Sequence, residues 1–225
     1  NAVNKFTPTS GVSELCAFCH TPHAASSDAP LWNRYIATPP AYTVYDTSTI
    51  DAPAATIGGI SLACLSCHDG TQAMNTVLNA PGSGGYNATG GTWAGSWAGA
   101  NQTGGKINAG LITNLTTDLS NDHPVSIPYG GGNGSSSFTS GVTMPAGGTA
   151  DADFKAAPNA GGLVWYVDVG AAGAKTKTDM ILYTNAATSQ PFVECGTCHD
   201  PHSTNATFLR TLNTNSQVCL ACHNK

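Results

Sequence analysis

Apolar and polar positions follow no sustained period along most of the chain, and only a few short stretches carry a recognisable pattern. Residues 163–167 read Leu-Val-Trp-Tyr-Val and are the best strand candidate, because β-branched and aromatic residues favour strands. Residues 180–183 are expected to pair with them as a hairpin, across a loop that holds Lys175 and Lys177. The pattern therefore predicts a mostly irregular fold with a few short helices and one small β-hairpin.

Short helices are predicted at segments that contain pairs of cysteines. One begins near Ser13, which favours the N-cap position, and continues into residues 16–20. Another covers residues 61–68. Pro22 and Pro201 interrupt the chain after two such segments, because proline lacks the amide hydrogen that a helix interior needs.

The remaining segments are rich in Gly, Ser, Thr and Asn, above all residues 81–110 and 130–148, while residues 111–119 could form one helical turn or a short strand. Charged residues make up only 9 % of the 225-residue chain and hydrophobic residues 40 %. This composition suits neither long helices nor large sheets, yet it is too apolar for plain disorder. A large apolar cofactor would resolve the conflict, so we expect a single domain, residues 1–225, wrapped around bound cofactors.

All eight cysteines fall in four copies of C-x-x-C-H, the attachment signature of a c-type haem. Two thiols add to the two vinyl groups of the porphyrin, and the adjacent histidine becomes the first axial ligand of the iron. Zinc sites, the alternative, would not require a histidine after every second cysteine. The sequence predicts four covalently attached haem c groups, bound through Cys16, Cys19, Cys64, Cys67, Cys195, Cys198, Cys219 and Cys222.

The seven histidines supply the predicted iron ligands. Four complete the C-x-x-C-H motifs, namely His20, His68, His199 and His223. His23 and His202 follow three residues later in a doubled form of the motif, C-x-x-C-H-x-P-H. Because the motif histidine already holds one face of its own iron, we expect these two to reach different haems, which would then lie almost in contact. His123 is the seventh candidate ligand.

Seven histidines leave one of eight axial positions without a candidate, and exchange between identical subunits cannot change that ratio. The last position could be filled by the amine of Asn1, by water, by nothing, or by a methionine. A methionine ligand would raise the potential of its haem relative to two histidines, whereas an open iron would accept small ligands. The methionines are Met74, Met144 and Met180.

The formal charge of the chain is −5. Propionates and iron bring the holoprotein to about −9 when oxidised and about −13 when reduced, if all propionates ionise. Arg34 and Arg210 are the arginines available as bidentate partners of propionates, with ordinary surface charges as the alternative. The chain has no basic patch, which argues against nucleic acid or anionic membranes as partners.

Export is expected, because thioether attachment to C-x-x-C-H takes place outside the bacterial cytoplasm. The chain begins at Asn1 and has no apolar stretch long enough to span a membrane, as expected of a processed, exported protein. Sequons of the type Asn-x-Ser/Thr would accept glycans in a suitable host, although a chain this rich in these residues also generates them by chance. They lie at Asn87, Asn101, Asn114, Asn133 and Asn205.

Several short motifs occur in a fixed order along the chain. They are the doubled motifs at residues 16–23 and 195–202, the single motifs at 64–70 and 219–223, and the runs Leu31-Trp32-Asn33-Arg34, Asp122-His123-Pro124-Val125 and Phe208-Leu209-Arg210. Together they resemble the tetrahaem cytochromes with doubled motifs, a group that includes the OmcE-type extracellular cytochrome filaments. The resemblance implies four stacked bis-histidine haems and, in filament-forming members, electron conduction along a homopolymer with one haem ligated across the subunit boundary.

One departure from the group concerns the amino-terminal stretch. Its members carry an additional histidine ahead of the first motif, whereas residues 3–10 hold none here. The sixth ligand of one haem therefore lacks its counterpart in this chain. The Gly/Ser-rich inserts also have no counterpart in the group.

The leading functional hypothesis is electron transfer by a non-enzymatic subunit of an extracellular filament, which delivers electrons to other cytochromes or external acceptors. A soluble periplasmic shuttle is the first alternative, although a shuttle usually displays a charged docking patch and this chain has few charges. The second alternative is a multihaem reductase that uses an incompletely ligated haem. No cluster of acid, base and cationic substrate clamp surrounds any motif, which argues against it.

Overall fold

The fold is that of a computed structural model of the chain. It describes residues 7–8, 15–36, 40–50, 56–82, 84–92, 97–130, 153–155, 157–161, 164–170, 174–186 and 190–224. The chain divides into two compact units. Unit 1 comprises residues 1–43 and 59–121, and unit 2 comprises residues 44–58 and 122–225.

The described residues are mostly coil, with short helices and small sheets, as the sequence predicts. The α-helices are α1 (Gly59–His68), α2 (Cys195–Cys198) and α3 (Gln217–Cys222), and 3-10 turns cover Leu15–Phe18, Ala206–Phe208 and Thr214–Ser216. The strands are β1 (Thr7–Pro8), β2 (Thr43–Val44), β3 (Thr76–Ala80), β4 (Gly85–Thr92), β5 (Trp97–Ala98), β6 (Gln102–Thr103), β7 (Lys106–Ile107), β8 (Asp118–Leu119), β9 (Ile127–Pro128), β10 (Val164–Val167), β11 (Met180–Thr184) and β12 (Pro191–Val193).

Unit 1 is built around α1 and an antiparallel hairpin. The hairpin joins β3 and β4, and its register shifts between Val77 and Asn79. Small two-stranded sheets in this unit pair β1 with β5 and β6 with β7. Leu65 of α1 and Val77 of β3 are almost fully buried, so the helix and the hairpin supply the apolar interior of the unit.

Unit 2 contains a four-stranded antiparallel sheet in the order β10-β11-β12-β9. One face of this sheet packs on a cluster of buried side chains. The cluster consists of Tyr129, Ala157, Val167, Met180, Leu182, Val193 and Ala221. Because Ala221 belongs to α3, the same cluster fixes the last C-x-x-C-H motif against the sheet.

Two of the predicted elements are present where the sequence placed them. Helix α1 covers the predicted residues 61–68 and begins two residues earlier, and β10 and β11 form the predicted hairpin with Trp165 opposite Leu182. The structure contains more sheets than the single hairpin that we expected. The sequence did not predict the additional strands β3, β4, β9 and β12, because their residues show no clear alternation of apolar and polar positions. The predicted helix start at Ser13 lies outside the described residues.

The prediction of a single domain stays a prediction beside the division into two compact units. Among the described residues, no helix combines the length and apolar character needed to cross a membrane.

Candidate functional site

Unit 1 brings the first two C-x-x-C-H motifs together. The first begins in the 3-10 turn Leu15–Phe18, and the second forms the last turn of α1. Burial raises the pKa of the Cys19 thiol, and the nearby Cys67 thiol raises it further. The two motifs are therefore close enough for their second cysteines to interact electrostatically.

Adjacent residues tie these two motifs to each other. Asn33 Nδ2 donates to the carbonyl of Ala17 inside the first motif, at 2.6 Å. The guanidinium of Arg34 donates to Ser66 inside the second motif, from Nε to the hydroxyl at 3.1 Å and from a terminal nitrogen to the carbonyl at 2.8 Å. Asn33-Arg34 is thus a polar clamp between two predicted haem attachment points.

Unit 2 brings the third and fourth motifs together. Burial raises the pKa of Cys198 to about 11 and that of Cys222 to about 12, and the thiols of Cys195 and Cys219 also contribute to the environment of Cys198. Cys198 and Cys222 both pack against the buried apolar cluster of this unit. The four motifs thus occur as two pairs, one in each unit.

Three of the four motif histidines share one hydrogen-bonding arrangement. The Nδ1 atoms of His20, His68 and His199 lie 2.9, 2.8 and 2.8 Å from the backbone carbonyls of Pro30, Thr113 and Thr207. A carbonyl only accepts, so Nδ1 carries the proton and Nε2 keeps a lone pair that is available to bind iron. This is the arrangement of an axial haem ligand whose ring is fixed by a second hydrogen bond.

His223 of the fourth motif contacts an aromatic ring. Its ring lies 4.5 Å from the ring of Phe154, centroid to centroid, at an interplanar angle of 47°. The backbone on either side is anchored, because Lys155 N–H donates to the carbonyl of Cys222 at 2.8 Å and Asn224 N–H donates to that of Asp153 at 2.7 Å. An aromatic contact orients this ring within unit 2.

The loops that supply two of the carbonyls have the same geometry in both units. Thr21 N–H donates to the carbonyl of Leu31, and Asp200 N–H donates to that of Phe208, both at 2.8 Å. Leu31 and Phe208 both adopt left-handed backbone conformations, with φ of 54° and 59°. Bulky side chains rarely adopt this conformation, and its recurrence at matching positions marks the two loops as two copies of the same local structure, one in each unit.

The three additional histidines lie at the surface. His202 Nδ1 lies 3.2 Å from a carboxylate oxygen of Asp200, and His123 Nδ1 lies 2.9 Å from the carbonyl of Pro124. The segment that carries His123 is fixed to strand β12, which precedes the third motif, since Ser126 N–H donates to the Val193 carbonyl at 2.6 Å. His23 follows its motif histidine as predicted, and its carbonyl accepts hydrogen bonds from two side chains.

These residues fit haem c on further observations. Large apolar side chains are exposed next to the motifs and next to the carbonyls that hold the motif histidines, where a porphyrin face would cover them. They include Leu31, Ile112, Phe208, Leu212 and Leu220, and Ile112 is 89 % exposed. The indole Nε1 of Trp32, whose ring lies 6.1 Å from that of His20, is a buried donor without a partner. A haem propionate is an acceptor of the right chemistry for it.

Zinc sites and disulfides have less support. The eight cysteines form no disulfide. Within the described parts of the chain, no three side chains of His, Cys, Asp or Glu are grouped so as to hold a metal ion. The pairs of cysteines are spaced within single motifs, as attachment to one porphyrin edge requires.

The arginines are used in a way that the sequence did not predict. Arg34 is fully buried, so the alternative of an ordinary surface charge is wrong for it. Hydrogen bonds to Ser66, Met74 and Ala73 occupy four of its five N–H groups, which leaves at most one for a propionate. Arg210 donates from Nε to the carbonyl of Gly196 at 2.9 Å and is mostly buried.

The methionine candidates for the eighth axial position differ in their surroundings. Met180 is fully buried in the apolar cluster of unit 2, where its side chain packs among aliphatic and aromatic groups. Met74 is half-buried and its carbonyl binds Arg34. Met144 lies outside the described residues. Packing therefore accounts for Met180 without an iron ligand role.

Sequence reasoning missed the backbone carbonyls that hold the histidines, because a carbonyl carries no side-chain signal. It also missed Asn33, whose contacts lie far away in sequence, and Asp200. The run Asp200-Pro201-His202 was the signal that could have revealed Asp200, since an Asp two residues before a histidine can bond to its amide and ring.

With this geometry established, comparison with known proteins adds one finding. Residues 190–225 match the family model described as the doubled CXXCH motif. The match supports a multihaem c-type cytochrome with covalently bound haem c, and it favours an electron carrier over an enzyme. No curated protein matches the chain.

Proposed function

We propose that the chain carries four haem c groups in two pairs and transfers electrons along them, as the repeating subunit of an extracellular cytochrome filament. The observation that carries the proposal is the recurring arrangement at His20, His68 and His199, in which a backbone carbonyl holds Nδ1 of each histidine that completes a C-x-x-C-H motif. That arrangement leaves Nε2 as the iron ligand in each case.

Haem c supplies a reversible one-electron iron couple when bound. The residues of the chain set the conditions for that couple. Cysteines fix the porphyrin edge, histidines hold the iron, and the polar clamp and the apolar cluster fix the spacing within each pair. No bond-making step is assigned to any side chain, because electron transfer between closely spaced haems needs only spacing, ligation and exclusion of water.

Assembly into a filament has separate support. A charged fraction of only 9 % suits packing between subunits better than fast docking through charge. The resemblance to filament-forming tetrahaem cytochromes points the same way. We accordingly propose export to the cell surface, with other cytochromes or external acceptors as partners.

Electron microscopy of the sheared extracellular fraction, with a haem-stained gel of the same material, tests the proposal. Filaments that carry a haem-staining band near the mass of the chain plus four haems would support it. Haem-positive monomers found only in the periplasmic fraction would overturn the filament part and favour a soluble shuttle. A chain without haem stain in either fraction would overturn electron transfer itself.

A further inference from the structure

The doubled motif of unit 2 contains a carboxylate that contacts its second histidine. Asp200 Oδ1 accepts the backbone N–H of His202 at 2.9 Å and lies 3.2 Å from the Nδ1 atom of its ring. An ionised carboxylate only accepts hydrogen bonds, so Nδ1 carries the proton and Nε2 keeps its lone pair. The short turn Asp200-Pro201-His202 thereby selects the tautomer that binds iron through Nε2.

The other carboxylate oxygen of Asp200 faces a cation. Arg210 lies 3.6 Å from Oδ2, and both side chains are mostly shielded from solvent. Asp200 is therefore paired with a cation through Oδ2 while Oδ1 accepts from His202.

The corresponding residue in unit 1 is not a carboxylate. Thr21 occupies the position of Asp200, one residue after the motif histidine, and its hydroxyl donates to the carbonyl of His23 at 3.2 Å. Among the described residues, no carboxylate contacts the His23 ring. The two doubled motifs therefore present histidines with different electron-donating strength, because a hydrogen bond from Nδ1 to a carboxylate makes the ring more basic.

We propose that Asp200 is a positioning residue that makes His202 the stronger iron donor and lowers the potential of the haem that His202 ligates. His23 has no such contact in the described structure, so the haem that it ligates has the higher potential of the two. Stronger donation stabilises ferric iron relative to ferrous iron, so reduction by one electron becomes less favourable. The inference rests on the proposed function, since it requires both histidines to bind iron.

Substitution of Asp200 in the holoprotein tests the proposal. D200N removes the charge but retains a side chain of the same shape, and D200E restores a carboxylate. D168N is the matched control, because Asp168 forms the same local bond to the amide two residues on, Gly170, at 2.8 Å but contacts no histidine in the described structure. Each protein is titrated spectroelectrochemically, and its haem content is measured as the pyridine haemochrome.

We expect D200N to retain the haem content of the unsubstituted protein and to show one midpoint potential shifted upward. Outer contacts of metal ligands typically change metal affinity by 10–100-fold, so a tenfold shift in the oxidised-to-reduced ratio, about 59 mV for one electron, is the expected size. D200E should retain the original midpoint potential, and D168N should leave all of the midpoint potentials unchanged. The electron paramagnetic resonance signal of a single low-spin haem should change with the D200N potential.

Unchanged potentials in D200N with full haem content would overturn the inference and leave the proposed function standing. An equal shift in D168N would also overturn it, since the effect would then be one of net charge. Loss of a haem from D200N would assign Asp200 to haem attachment and contradict the tuning role. Absence of haem from the unsubstituted protein would instead contradict the proposed function.

Discussion

The two units hold the same kind of motif pair with different interiors. In unit 1 a buried polar clamp, Asn33-Arg34, joins the motifs, and the guanidinium is fully enclosed. In unit 2 an apolar cluster that includes Leu182 and Ala221 performs this task. The two doubled motifs share one backbone contact. In each, a side chain, Asn33 or Arg210, donates to the carbonyl of the residue that follows the first cysteine. The two units thus hold their motif histidines in similar geometry although the side chains that support them differ.

The largest expected effect comes from removal of the clamp. Arg34→Ala leaves the buried hydroxyl and carbonyl of Ser66 and the half-buried carbonyls of Ala73 and Met74 without their donor, and each unsatisfied group costs about 1–3 kcal/mol. We expect a loss of at least about 4 kcal/mol, or roughly 8–16 °C in Tm for a chain of this size. Thermal unfolding followed by haem absorbance measures the loss.

Arg210→Ala is the comparison variant, because this arginine makes two hydrogen bonds to backbone carbonyls where Arg34 makes four hydrogen bonds. It should lower Tm by much less. Equal losses in the two variants would contradict the difference between the interiors.

Truncation in the apolar cluster of unit 2 should have the next largest effect. Leu182 is fully buried, and replacement of a buried leucine by alanine costs about 2–5 kcal/mol. Val164→Ala, on the neighbouring strand but 37 % exposed, should cost well under half of that. Limited proteolysis of L182A should cut first within unit 2, and preferential cutting in unit 1 would argue against separate interiors.

Asn33→Ala should have a moderate effect. Its side chain donates to the carbonyls of Ala17 and Asn79 and accepts from Asn79 N–H. Since exchange with water offsets part of each bond, the expected loss is about 1–3 kcal/mol. Chemical denaturation measures it, and a haem spectrum unchanged at low denaturant would show that the first motif still attaches its haem.

The smallest effect is expected at the turn after α1. Gly70 has φ of +71°, and a Cβ there would lie 2.5 Å from Nδ2 of Asn114. Gly70→Ala combines left-handed strain of about 1 kcal/mol with this clash. Gly82→Ala separates the two causes, because Gly82 has φ of +64° and open space around it. Equal losses of Tm in the two variants would show that the clash with Asn114 contributes nothing to the effect of Gly70→Ala.

The sequence predicted the elements that carry their own signal. Helix α1 and the β10–β11 hairpin follow from local pattern, and the haem motifs follow from cysteine and histidine spacing. The β3–β4 hairpin was missed because Gly90 and Gly91 hide its strand pattern, and its pairing contains a register shift. Tertiary contacts, rather than local preference, stabilise it.

The supporting groups of the site could be predicted only in part. The carbonyls of Pro30, Thr113 and Thr207 lie 8 to 45 residues from the histidines that they hold, and any residue type could supply them. The burial of Arg34 could not be predicted, because its acceptors are mostly backbone atoms that no sequence pattern marks. Iron ligation by His23, His123 and His202 stays a prediction from composition and spacing.

The central claim is that each unit attaches a pair of haems covalently. Mass spectrometry of the exported, denatured protein, followed by mapping of haem-bearing peptides, tests it most directly. The account predicts a mass four haems above that of the chain, with one haem on each of the peptides that contain Cys16, Cys64, Cys195 and Cys219. A mass equal to that of the bare chain, or haem on the motifs of one unit only, would contradict it.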